Sequence, residues 1–230
     1  MAAIEVFQSP EGLDQAFLDF FKRQSCYKLN QLVSKRSVLS QYIGVYALYY
    51  HGGNPLYVCI AEANKRACCL PIYVGKAVPS GRRTGRQDAP GHMSTKSNLY
   101  NRLNEHRRSI EQANNLAVGA FSFRVAAMDF DLVSWGESVS IRFFQPVWNQ
   151  IIDGFGIHDP GSGRAQQRQS VWDILHPGRT FTGKLPNADT VDEASILHEI
   201  EDLCGKRVSE KPQEAPPAAK RLVIKRIIAA

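Results

Sequence analysis

Two short tyrosine motifs carry the most chemical promise in this chain: Gly44-Val45-Tyr46, at the start of a β-branched and aromatic run, and Tyr73-Val74-Gly75, followed by Lys76. Downstream, Arg102 and His106 stand at i and i+4, Glu137 falls within an apolar helical pattern, and Asn149 follows that pattern. Hydrolysis of a phosphodiester needs an aligned water, an acceptor for its proton, cations against the phosphoryl oxygens and help for the leaving oxygen. The six residues offer a candidate for each. Glu137 can hold one divalent cation, and Mg²⁺ suits a hard carboxylate working with phosphate. Arg102 offers a planar fork to a nonbridging oxygen. Tyr46 or Tyr73 can orient water, acting as a base only where neighbouring cations favour the phenolate, and His106 can take the proton directly or through a tyrosine hydroxyl. Asn149 reads as an orienting residue rather than a reactant. Each alone has a blander reading, as packing, a salt bridge or a buried ion pair. The conjunction is what points to a site.

The elements that must position these groups are visible as patterns. Residues 9 to 24 predict a capped amphipathic helix bearing Leu13, Phe17, Leu18, Phe20 and Phe21. Ile43 to Tyr50 predicts a strand ending at His51-Gly52-Gly53, and Asn54-Pro55 caps a short helix over Leu56 to Lys65. Cys68 to Val74 predicts a second strand, after which Gly75-Lys76 opens a loop of about twenty residues, a length that usually carries function or disorder. A helix capped by Ser97 follows, with Leu99, Leu103 and Ile110 on one face. Phe121 to Met128 predicts a third strand, and the next helix carries Glu137 and stops at Pro146. Asp153 to Arg168 is irregular, residues 189 to 204 predict an acidic amphipathic helix, and 209 to 219 form a Pro/Ala/Glu-rich linker before a basic apolar strip.

Composition narrows the setting. At 230 residues and 43% hydrophobic content the chain can bury a substantial core. It has no apolar run long enough to span a bilayer and no secretory signature at its N-terminus, which predicts a soluble cytoplasmic protein with no membrane partner. Five cysteines, an odd number scattered through apolar segments, read as reduced thiols, and Cys68-Cys69 lacks the companions a zinc site needs. The net charge of +6 is concentrated between residues 76 and 110, where Lys76, Arg82, Arg83, Arg86, Lys96, Arg102, Arg107 and Arg108 face only Asp88 and Glu105. A basic stripe of this kind is the footprint of a polyanion such as DNA. Lys76, Arg82, Arg83, Arg86, Lys96, Arg164, Arg168 and Arg179 are the candidate DNA-binding residues, and arginine forks in the loops suit guanine O6 and N7.

Taken together, Gly44-Val45-Tyr46, Tyr73-Val74-Gly75-Lys76-Ala77, Arg102, Glu137 and Asn149 resemble the motif series of the GIY-YIG nuclease superfamily. That resemblance implies an α/β (α+β) fold with a small three-stranded antiparallel sheet flanked by helices. One departure stands out: a turn and a helix intervene between the two tyrosine motifs, which the family usually joins closely. This insertion, the extra loop before Arg102 and the position of His106 are similar to the type II restriction endonucleases that cut CCGCGG. The similarity covers roughly residues 40 to 182. It implies Tyr46, Tyr73, Arg102, His106, Glu137 and Asn149 as active-site residues, one Mg²⁺ on Glu137, double-stranded DNA as substrate, and a homodimer whose two sites cut the two strands. The expected organisation is an N-terminal helical extension over 1–40, a nuclease core with recognition loops over 41–182, a C-terminal helical extension over 183–208, and a linker with basic apolar tail over 209–230. A structure-selective or repair nuclease with the same core is the rival enzyme. A noncatalytic DNA-binding module is the rival of another class.

Overall fold

In a computed structural model of the chain, residues 12–78, 98–152, 154–155, 168–186 and 191–209 are described. One antiparallel sheet has the strand order β1-β4-β2-β3, with β1 at Cys26–Lys28, β2 at Gly44–Tyr50, β3 at Tyr73–Ala77 and β4 at Phe121–Ala127. The sheet therefore has four strands rather than three. The extra one, β1, lies in the N-terminal segment expected to be helical and pairs with β4 from Cys26↔Arg124 to Lys28↔Ser122.

The central strand β2 is buried along its whole length because both of its faces are covered. Tyr46, Leu48 and Tyr50 point to one face, where they meet Phe121, Phe123, Leu103, Ile110 and Trp148. Val45, Ala47 and Tyr49 point to the other, against Phe17, Phe21, Val139 and Phe144. This two-sided burial explains why the run reads as nearly continuous apolar sequence instead of an alternation. Helix α1 (Leu13–Arg23) begins after Gly12 and packs Phe17, Leu18 and Phe21 onto the second face. Truncating the fully buried Phe21 to alanine would cost about 3–5 kcal/mol.

The short α2 (Arg36–Leu39) precedes β2, and α3 (Val58–Ala63) follows a 3₁₀ turn at Pro55–Tyr57 whose first turn is capped by Asn54, accepting from the Leu56 N–H at 3.0 Å. The second strand starts later than its sequence suggests and runs through Gly75 and Lys76, which pair with Tyr46 and Val45 instead of opening a loop. The cause is Asn64. Its side chain accepts from the Cys69 and Leu70 N–H groups at 2.9 and 2.8 Å and donates to the Leu70 and Tyr50 carbonyls. Residues that would have joined the ladder are tied to that amide, and pairing starts only after Pro71.

Helix α4 (Leu99–Gln112) is capped by Asn98, which accepts from the Asn101 N–H at 2.9 Å; Ser97, the expected cap, lies outside the described residues. Helix α4 covers the Tyr46 face, and α5 (Phe130–Phe144) covers the opposite face, ending before Pro146. The chain then forms α6 (Val147–Gln150), α7 (Val171–Leu175) and α8 (Glu193–Ser209). Cys26–Cys68 and Cys59–Cys204 are disulfides, and Cys69 is free and exposed. This corrects the reading of five reduced thiols: the partners are separated by 42 and 145 residues, so tertiary approach alone brings them together. Among the described residues no helix is long and apolar enough to cross a membrane.

Candidate active site

The sheet register sets the first half of the site. Tyr46 on β2 stands opposite Gly75 on the edge strand β3, and Tyr73 pairs with Leu48, so both phenols leave the same face on a diagonal with ring centroids 6.3 Å apart. Gly75 is demanded by this arrangement. A Cβ there would lie 2.6 Å from the Tyr46 hydroxyl and 3.0 Å from the Tyr73 ring. Gly44 has a different reason: its φ is 152°, and a Cβ would fall 2.0 Å from the Ala126 carbonyl oxygen of β4. The glycines of the two motifs thus let backbones pass close to a phenol and to a neighbouring strand.

Helix α4 supplies the second half. His106 Nε2 shares a 2.6 Å hydrogen bond with the Tyr46 hydroxyl, and its ring lies against Tyr73 and Phe155 at 5.2 and 4.3 Å. One turn earlier, Arg102 is electrostatically coupled to both phenols and ion-paired with Glu105. Burial pushes the Tyr46 phenol well above its ordinary pKa of 10, and nearby Tyr73 adds to this, while the Arg102 guanidinium pulls it back and Glu137 pushes it up again. Tyr73 is raised for the same first reason, burial, with Arg102 opposing and Glu137 reinforcing. Both tyrosines are therefore neutral phenols near pH 7, suited to orient and relay rather than to act as standing phenolates. Arg102 itself is held protonated: burial works against its charge, while the Tyr46 and Tyr73 hydroxyl oxygens and the Glu105 carboxylate beside it favour that charge.

Glu137 comes from α5, across the sheet from α4, and reaches the edge strand where Lys76 meets it at 2.8 Å. Its influence on both Tyr46 and Tyr73 brings it into the same electrostatic neighbourhood as Arg102. Asn149, on α6, does something more specific than its sequence position suggested. Its Oδ1 accepts from the Val74 N–H at 2.8 Å and its Nδ2 donates to the Val74 carbonyl at 2.9 Å. The side chain thereby replaces a missing strand on the free edge of β3, between Tyr73 and Gly75. Tyr46, Tyr73, Arg102 and His106 lie together on the α4 face of the sheet, while Glu137 reaches β3 from the α5 face and Asn149 holds the free edge of that strand.

The predicted DNA-binding residues divide differently. Arg82, Arg83, Arg86, Lys96 and Arg164 lie outside the described residues, as does most of both candidate recognition loops and the basic tail. Arg168 is exposed. Arg179 turns inward: its guanidinium lies 3.3 Å from buried Asp173, over the rings of Trp172 and Phe181, and donates to the Phe155 carbonyl at 3.4 Å. Phe155 escaped sequence reasoning because it sits in a stretch without periodicity, yet it walls the site beside His106, Tyr73, Trp148 and Trp172. A second tyrosine–histidine pair also escaped. Tyr57 and His176 share a 2.7 Å bond in the core, and His176 Nδ1 lies 2.9 Å from Asn115 Oδ1. Since Asn115 Nδ2 donates to the Leu175 carbonyl, His176 donates from Nδ1 and accepts from Tyr57, a fixed neutral arrangement.

Two phenols on neighbouring strands, an arginine–histidine turn on one side of the sheet and a lone carboxylate on the other define a GIY-YIG nuclease domain. The match to the family model of the Eco29kI GIY-YIG domain spans residues 39–204, and the chain belongs to that family. No curated protein matches it significantly.

Proposed function

We propose that the chain is a type II restriction endonuclease that hydrolyses double-stranded DNA at a G/C-rich palindrome, with CCGCGG as the site suggested by resemblance, using one Mg²⁺ per active site and working as a homodimer. The observation that carries the chemistry is the 2.6 Å Tyr46–His106 bond beside Arg102, with Glu137 within electrostatic reach of both tyrosines.

In this reading the Tyr46 hydroxyl aligns the attacking water and passes its proton to His106 Nε2. The high pKa that burial gives Tyr46 favours such a relay, because the phenol regains its proton at once. Arg102 places its guanidinium fork against a nonbridging oxygen, where negative charge grows in the transition state. Asn149 holds Val74 and so fixes the β3 backbone on which Tyr73, Gly75 and Lys76 ride. The metal fits this donor set. Glu137 already seats a positive charge at 2.8 Å, so a cation here would rest on that carboxylate, water and substrate phosphate, as Mg²⁺ commonly does. When bound it would neutralise phosphoryl charge and assist the leaving oxygen. Two copies of the chain, each contributing one such site, suit a twofold DNA sequence.

Incubation of supercoiled plasmid with Mg²⁺ or EDTA tests the reading. Metal-dependent bands at fixed positions support it, and run-off sequencing of the products then gives the site and the stagger. A smear indicates a nonspecific or structure-selective nuclease, and retarded but intact DNA indicates a noncatalytic binding module. Light scattering of the purified protein gives the oligomeric state.

A further inference from the structure

We propose that Lys76 is a built-in stand-in for the divalent cation, holding Glu137 in its working position until metal displaces it; this rests on Glu137 being the metal ligand, as proposed above. On β3, Lys76 pairs with Val45 and leaves the sheet on the face opposite Tyr73, towards α5. There its ammonium bonds Glu137 Oε2 at 2.8 Å and donates to Ser134 Oγ at 3.3 Å. Ser134 and Glu137 are three residues apart on α5, so one turn of that helix grips the ammonium from two sides. The seat lies one residue beyond Gly75, whose backbone passes beneath the Tyr46 hydroxyl.

An ammonium and a divalent cation compete for that carboxylate, because two cations held so close repel each other strongly. The ion pair is also accessible: the Lys76 and Glu137 side chains are 35% and 20% exposed, so water can mediate exchange. The free protein therefore has a preorganised Glu137 at the expense of some metal affinity. Metal entry releases Lys76, whose ammonium then becomes available to the phosphate of the bound strand.

Mn²⁺ titration followed by the electron paramagnetic resonance of the free ion tests this in the full chain without DNA or turnover. Lys76→Met and Lys76→Gln should bind Mn²⁺ about three- to tenfold more tightly than the unaltered protein, the scale of a partly exposed ion pair. Glu137→Gln should lose this binding. Equal or weaker affinity in the Lys76 variants, with binding still lost in Glu137→Gln, overturns the stand-in while leaving Glu137 as ligand. Binding that survives Glu137→Gln overturns the metal assignment and the stand-in together. Circular dichroism melts establish that each variant is folded, and Lys76→Gln carries the test if Lys76→Met is not.

Discussion

Tyr46→Phe removes one oxygen from the centre of the proposed relay and leaves the ring that fills the core. The lost hydroxyl bonds His106 Nε2 at 2.6 Å and is fully buried, so the change removes a buried hydrogen bond. Loss of such a bond costs about 0.5–1.5 kcal/mol of stability. The catalytic loss should be larger, about 10²- to 10⁴-fold in the single-turnover cleavage rate, the range that a positioned proton-transfer group supplies. His106→Asn should cost a similar factor. Because the two groups form one path, the double variant Tyr46→Phe/His106→Asn should be little slower than the worse single variant. The assay is quench-flow cleavage of a duplex containing the recognition site, with enzyme in excess. Cleavage by Tyr46→Phe within a few-fold of the normal rate refutes the relay, and strictly multiplicative single effects refute the shared path.

Gly75→Ala should cut cleavage by at least about 10²-fold while the protein still folds, because its methyl group would press on the Tyr46 hydroxyl from 2.6 Å; normal turnover would show that the sheet edge yields. Burial lowers the His176 pKa from its ordinary 6.5 to about 4, so the unfolded chain takes up a proton that the folded chain refuses. Stability from this group is thus complete above about pH 6.5 and falls as pH drops towards 4, by up to about 3 kcal/mol, which urea titrations of the unaltered protein and His176→Gln at several pH values would read as a difference in slope. Thiol titration of protein denatured without reductant should give one reactive sulfhydryl, Cys69; five would show that the two disulfides do not form under the conditions of preparation.

The parts of the site legible in the sequence were those whose residue types are fixed by local geometry. The Tyr46 and Tyr73 motifs announce themselves because each glycine answers a backbone constraint and each tyrosine sits in a β-forming run. The i, i+4 spacing of Arg102 and His106 announces a shared helix face. Strand β1 was not legible, since Cys26-Tyr27-Lys28 is too short to show a period and gains its conformation from pairing with β4. The late start of β3 was hidden for a related reason: one side chain, Asn64, takes over the N–H groups that propensity would assign to the sheet. The disulfides, the wall at Phe155 and the inward turn of Arg179 depend on contacts between distant segments. Asn149 was recognisable as an orienting residue, but its hold on the Val74 backbone needed the folded edge to be seen.

The central claim is that one carboxylate, Glu137, converts this phenol, imidazole and guanidinium cluster into a metal-dependent nuclease. The most direct measurement compares the unaltered protein with Glu137→Ala on the same site-containing duplex, reading cleavage with Mg²⁺ and binding by fluorescence anisotropy. Cleavage should vanish in the variant while DNA affinity stays within a few-fold. Normal cutting by Glu137→Ala would contradict the account.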